Sequence, residues 1–173
     1  MDLIDLKNQS ETANDTPENA VKFLLNCMYV YQKGGKKGKG EDKALGYMGF
    51  VLSKDGLKEN KKAESGYLPF ATTLQLIKGL REPQRGNTIL ASMGGTWENN
   101  YEDVDPDNYE LNITNTQEIA EDQVKIFIKS GGRDNPFPMT LAKNNQGQWK
   151  VMSAYFSSIV MDVRPGKATA GDF

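Results

Sequence analysis

Two absences narrow the chemistry open to this chain. It holds no histidine and a single cysteine, Cys27. Without histidine, the Ser-His-Asp and Cys-His nucleophile systems, histidine metal sites and the usual neutral-pH proton shuttle are excluded. One cysteine forms neither an internal disulfide nor a cysteine-clustered zinc site. Cys27 falls on the apolar face of a helical pattern, where a thiol serves as a small buried hydrophobe rather than a nucleophile. The expectation is a protein with no metal and no cofactor.

Three segments hold the remaining candidates for chemistry or recognition. Residues 33–40, KGGKKGKG, are strongly basic. A phosphate-binding loop needs G-x-x-x-x-G-K-[ST] between a strand and a helix. Here the spacing fails, no Ser or Thr follows and a helix precedes, so the segment reads as a solvated flexible connector, with contact to an acidic surface or a phosphate backbone as the alternative. Arg81 and Arg85 straddle Pro83 and have the fork geometry to grip a carboxylate, but such a pair near a helix end is ordinarily a surface feature. Residues 97–108, WENNYEDVDPDN, form an acidic loop in which Trp97 and Tyr101 flank Glu98, Asn99 and Asn100. An exposed aromatic pair there suits a protein interface. The alternative is that either ring closes the open end of the fold.

The elements that must position these residues are set by size and pattern. A chain of 173 residues is one domain by prior and long enough to bury a core. Its formal charge of −2 gives no global attraction to nucleic acid or anionic membrane. No apolar run approaches the length needed to span a bilayer. The acidic, polar start lacks a signal peptide's basic and apolar regions, so a cytoplasmic, reducing compartment is expected. Residues 1–15 read as a flexible leader, 16–164 as the domain and 165–173 as a flexible tail.

Thr16-Pro17-Glu18 starts a helix with a hydroxyl cap, a first-turn proline and a carboxylate at the positive dipole end. Ala20, Phe23, Leu24, Cys27, Met28 and Tyr31 continue it with one buried face, and Gly34-Gly35 stop it. A second helix is expected over residues 41–53, with Gly46 and Gly49 marking close approach or irregularity. A third is expected around Leu68, Phe70, Leu74, Ile77 and Leu80, with Pro69 in its first turn. Strands follow: a short one over residues 88–93, then alternations at Tyr109/Leu111/Ile113, Val124/Ile126/Ile128 and Phe137/Met139/Leu141. Asn144 to Gly147 form a hairpin loop. Residues 149–164, WKVMSAYFSSIVMDVR, carry apolar residues on both alternating faces and no Gly or Pro. They read as one long final strand, about 50 Å if fully extended, which must bend or twist to fit a compact domain. Trp149 and Tyr155 lie on its continuously apolar face and Met152, Ala154 and Phe156 on the other, where an uncovered patch would be unusual for a monomer.

Helices first and strands afterwards define an α+β fold, an antiparallel meander with helices packed on one face. The order of elements, with VKIFIKSGG…NPFPMTLAKNNQGQWKVMSAYFSSIVMDVRP at the end, resembles the cystatin-like cone superfamily of nuclear transport factor two, ketosteroid isomerase, scytalone dehydratase and the polyketide cyclases. The closing hairpin, from Pro138-Met139-Thr140-Leu141 through Gly147 to Trp149-Lys150-Val151, carries most of that likeness, which points to an uncharacterised bacterial branch. The resemblance implies a strongly curved sheet enclosing a pocket, and dimers through the sheet's outer side. Enzymes of the superfamily use an Asp or His base with a Tyr/Asp oxyanion hole. Asp103, Asp105, Tyr101 and Tyr109 supply those residue types here, although solvated carboxylates are the default in so acidic a loop.

The leading expectation is a non-catalytic protein-binding module, a subunit or accessory factor of a bacterial assembly. It would bind a partner or a second copy through the sheet face, with Trp97, Tyr101, Met152, Ala154 and Phe156 at the interface. The alternatives are a small-molecule binder or isomerase/cyclase-like enzyme using a pocket around Asp103, Asp105 and Tyr109, and an immunity or antitoxin protein.

Overall fold

A computed structural model of the chain describes residues 1–35, 38, 40–152 and 157–167. Helix α2 (Pro17–Lys33) is the central element. The Thr16 hydroxyl accepts from the Asn19 amide at 3.1 Å, Pro17 fills the first turn, and Gly35 turns the chain away with φ +53°. Its buried residues extend from Ala20 to Tyr31 and wrap most of the helix, Cys27 among them. Burial raises the Cys27 thiol well above its ordinary range, as befits a packed side chain and not a nucleophile.

Around α2 pack short pieces. Helix α1 (Leu3–Gln9) occupies the segment expected as a flexible leader. Asp2 caps it by accepting from the amides of Ile4 (2.7 Å) and Asp5 (3.1 Å), while Asp5 accepts in return from the Asp2 amide at 2.8 Å. This reciprocal cap satisfies orphan donors at the helix start, and Leu6 is fully buried against the core. The leader reading is corrected: a run of acids and amides looked solvated, but two of its acids are caps.

The expected second helix is broken. Helix α3 (Ala44–Tyr47) is flanked by 3-10 turns at Glu41–Lys43 and Met48–Phe50. Gly46 and Gly49 explain the irregularity, since a Cβ on either would collide with Glu64 or with Ser65. The segment pressed against them leads into a hairpin of β1 (Leu57–Glu59) and β2 (Tyr67–Pro69). Pro69 therefore ends a strand rather than opening helix α4 (Ala71–Lys78). Helix α5 (Thr88–Ser92) replaces the strand expected at 88–93. Five residues are too few to display helical periodicity, and β-branched Thr88 and Ile89 imitated a strand.

The fold is α+β. Its main sheet is an antiparallel meander in the order β3 (Ile113–Ala120), β4 (Gln123–Ile128), β5 (Phe137–Lys143), β6 (Trp149–Val151). The β4 and β5 alternations hold: Ile126 pairs with Met139, Ile128 with Phe137, and all four are buried. The long final strand does not form. Strand β6 covers three residues, and residues 157–160 make a 3-10 turn with Ile159 and Val160 both buried. Two consecutive buried side chains reflect a turn packed on both sides, which apolar alternation in sequence cannot distinguish from a covered strand.

Strand β6 is closed on its far side. Leu52 forms a parallel bridge with Val151, whose amide donates to the Val51 carbonyl at 2.7 Å and whose carbonyl accepts from Ser53 at 2.9 Å. The Trp149 amide donates to Asn14 at 2.9 Å, so residues just before α2 also hold this edge.

Candidate functional site

The residues singled out in the acidic loop are held by structural bonds. Asp103 accepts from the Thr96 amide (2.8 Å), the Thr96 hydroxyl (2.6 Å) and the Asn99 amide group (3.0 Å). The Thr96 bonds, hydroxyl first, hold its carboxyl below the usual carboxylate range. A general base for carbon acids needs the opposite shift. Asp105 is exposed and accepts from the Asp107 amide at 2.9 Å, a local turn.

The two phenols are buried and face different neighbours. Tyr101 adopts φ +63°, follows Asn100 at φ +55°, and its hydroxyl donates to the Arg164 carbonyl. A bulky side chain in left-handed backbone persists only when its surroundings hold it. Here burial of the ring and the bond to Arg164 do so. Tyr109 lies beside α2, its hydroxyl 2.7 Å from Asn26 Oδ1 and 3.2 Å from the Lys22 carbonyl. Burial pushes this phenol far above the tyrosine range, with Cys27 and Glu110 adding to it.

These four residues do not form one pocket. The shallow cleft at Tyr109, about 280 Å³, is lined by Asn26, Lys22, Asn19 and Asp107 and by neither Tyr101, Asp103 nor Asp105. The expected interface is likewise dispersed. Trp97 is half-buried with the Arg164 guanidinium 5.6 Å from its ring, and Tyr101 is inside. Met152 is half-buried, while Ala154 and Phe156 lie outside the described residues. Arg81 pairs with Asp42 at 2.8 Å and stacks on Tyr31, and Arg85 pairs with Asp162 at 2.8 Å, so the two arginines serve different contacts. Most of the basic segment's lysines also lie outside the described residues.

The feature that sequence reading passed over is strand β3, ITNTQEIA. It pairs with β4 through Asn115–Phe127, Thr116–Ile126, Gln117–Lys125 and Glu118–Val124, with a register shift at each end of that run. Its other side is a terminal edge of the sheet. Every residue from Thr114 to Ala120 is exposed, including Ile119 at 49 %. Edges are normally blunted by lysine, proline, strong bulging or a covering element. Strand β3 has no lysine and no proline, and its two shifts leave a regular run between them. Thr114, Thr116 and Ile119 with the acidic turn Glu121-Asp122 were the available signal: β-branched residues before a turn.

A family model described as a domain of unknown function, DUF6935, matches residues 2–167. The chain belongs to this family. The DUF6935 match takes in α1 and the C-terminal segment that Tyr101 holds, in keeping with their integration into one core. No curated protein and no solved structure matches the chain. Among the described residues no helix of this DUF6935 domain is long and apolar enough to cross a membrane, and no cluster of three or more metal-ligating side chains occurs.

Proposed function

We propose that this DUF6935 domain is a non-catalytic protein-binding module whose docking element is the outer edge of β3. The observation that carries it is an eight-residue terminal strand, exposed on both faces past Ile113, without lysine or proline. Such an edge presents alternate N–H and C=O groups to a strand from another chain, which gains main-chain hydrogen bonds by extending the sheet. The occupant is an extended segment of a partner protein. The regular run from Asn115 to Glu118 sets the length of the pairing. Its side chains are polar and near neutral, so recognition rests on the backbone more than on charge.

The cone-like reading belongs to the same proposal. Helix-first order, a four-stranded antiparallel meander packed on α2, and register shifts that bend β3 all support it. In that reading the acidic loop is a structural corner, since Asp103 and Tyr101 are occupied by bonds within the domain.

Neighbouring residues of an edge strand point their amides in opposite directions. Of the variants Thr116→Pro and Gln117→Pro, one removes a donor to β4 and lowers the melting temperature. The other removes an outward donor and leaves stability near wild type. Wild type and both variants would serve as bait in native extract, with solution mass measured in parallel. Loss of a specific partner, or of self-association, with the stable variant supports edge pairing. Undiminished binding by that variant overturns it.

A further inference from the structure

A cleft lies at the other end of the sheet, between the β5–β6 hairpin and residues 49–67. Its volume is about 480 Å³, within the range of small-ligand sites. One wall is apolar: Phe50, Leu57, Tyr67 and Met152. Gly49 fixes that wall, since a Cβ there would strike Ser65 Oγ and lie 3.0 Å from Tyr67 Cβ.

Among the described residues Lys54, Lys143 and Lys150 also line this cleft, and no acidic residue does. Lys143 is matched at 3.5 Å by Asp122, outside the lining. Asp55, also outside it, accepts from the Ser53 hydroxyl. Lys150 alternates with buried Val151 and is half-buried on the side of the sheet away from the core. Its Nζ donates to the Phe50 carbonyl at 2.6 Å, an oxygen that also receives the Asn14 amide group at 3.1 Å. An ammonium has three donors, so Lys150 keeps two beyond that bond. Among the described residues Lys54 has no ion-pair partner, and burial first, then the charge of Lys54, disfavours protonation of Lys150.

A half-buried ammonium beside a second one, both against an apolar wall, is an arrangement that an anion relieves and a neutral ligand does not. We propose that this cleft binds a small amphipathic carboxylate. Its anionic head sits between Lys54 and Lys150, and its hydrocarbon body lies on Phe50, Leu57, Tyr67 and Met152. Lysine rather than arginine at both positions suits a point-charge contact with a single carboxylate and does not impose a bidentate fork. This site is separate from the β3 edge, and neither proposal depends on the other.

The test uses the whole chain and three probes: octanoate, octanol and inorganic phosphate. Octanoate is expected to raise the melting temperature in a dose-dependent way that weakens with salt, because ligand binding to the folded state stabilises it. Octanol and phosphate, each lacking one half of the recognition, are expected to shift it far less. Calorimetric titration should show octanoate affinity falling about tenfold in Lys54→Gln and in Lys150→Met, each of which removes one close charge from the anion. Lys150→Arg retains most of the binding, and Lys78→Met on helix α4, outside the lining, leaves it unchanged. Lys54 is exposed, so its variant keeps the fold whatever Lys150→Met does. Equal stabilisation by octanoate and octanol, no stabilisation by either, or unchanged octanoate affinity in Lys54→Gln and Lys150→Met overturns the proposal.

Discussion

The two edges of the four-stranded sheet have opposite designs. Strand β6 is three residues long, yet its far side is bonded to the backbone at Val51 and Ser53, its start is tied to Asn14, and Val151 is fully buried. Strand β3 is eight residues long, but past Ile113 its side chains are exposed, and among the described residues no strand pairs with its outer edge. Strand length is therefore a poor guide to what an edge does for stability. The short edge anchors the core, and the long edge adds little to it; the latter is the one proposed above to pair with a partner.

The largest expected effect comes from breaking the closed edge at its centre. Val151→Asp places a carboxylate where no water reaches, and burying a charge without a partner costs far more than a domain can spare. The variant is expected to be unfolded at neutral pH by circular dichroism. Leu52→Ala removes the buried side chain of the bridging residue and should cost about 2–5 kcal/mol in urea unfolding, the range for core truncations.

A subtler test separates backbone from ammonium at that edge. Burial first, and Lys54 second, hold the Lys150 amine below the usual lysine range. A lysine whose folded-state pKa lies below its unfolded value opposes folding at neutral pH. That opposition fades as pH climbs toward the unfolded value of about 10.4. Lys150→Met should therefore match or exceed wild type in melting temperature at pH 7, since Asn14 still satisfies the Phe50 carbonyl. Wild type should gain on the variant in the window just below about pH 10. A clear loss at pH 7 would mean that the side chain closes this edge, not the backbone. The smallest effect belongs to β3: Thr116→Ala is expected to change stability by no more than about 0.5 kcal/mol, as at other exposed sites. A larger loss in the isolated chain would remove the contrast between the edges.

Much of the scaffold was legible because its signals are local. Thr16-Pro17-Glu18 announce α2, Val124/Ile126/Ile128 and Phe137/Met139/Leu141 announce β4 and β5, and Asn144 to Gly147 announce their hairpin to β6. What failed depended on reciprocal bonds or on distant partners. Asp2 and Asp5 look like solvated acids until they are seen to cap the start of the same helix together. Strand β6 ends at Val151, and Ile159 and Val160 are buried in a turn that nothing in an apolar alternation marks. For the candidate site, residue types were readable but assignments were not. Tyr101 and Tyr109 are engaged by Arg164 and by Asn26, which only the folded chain brings near. Lys54 and Lys150 sit far apart in sequence and share a cleft through the bridge between Leu52 and Val151.

That bridge also fixes when the domain can finish folding. Leu52 emerges early in synthesis and Val151 late, and Asn14 waits longer still for Trp149. Contacts so distant along the chain form slowly, because a large loop must close before any of them is rewarded. On the ribosome, α2 and its small neighbours would stay without β6 until that strand has cleared the exit tunnel. During that interval the nascent chain exposes the apolar surface that chaperones recognise.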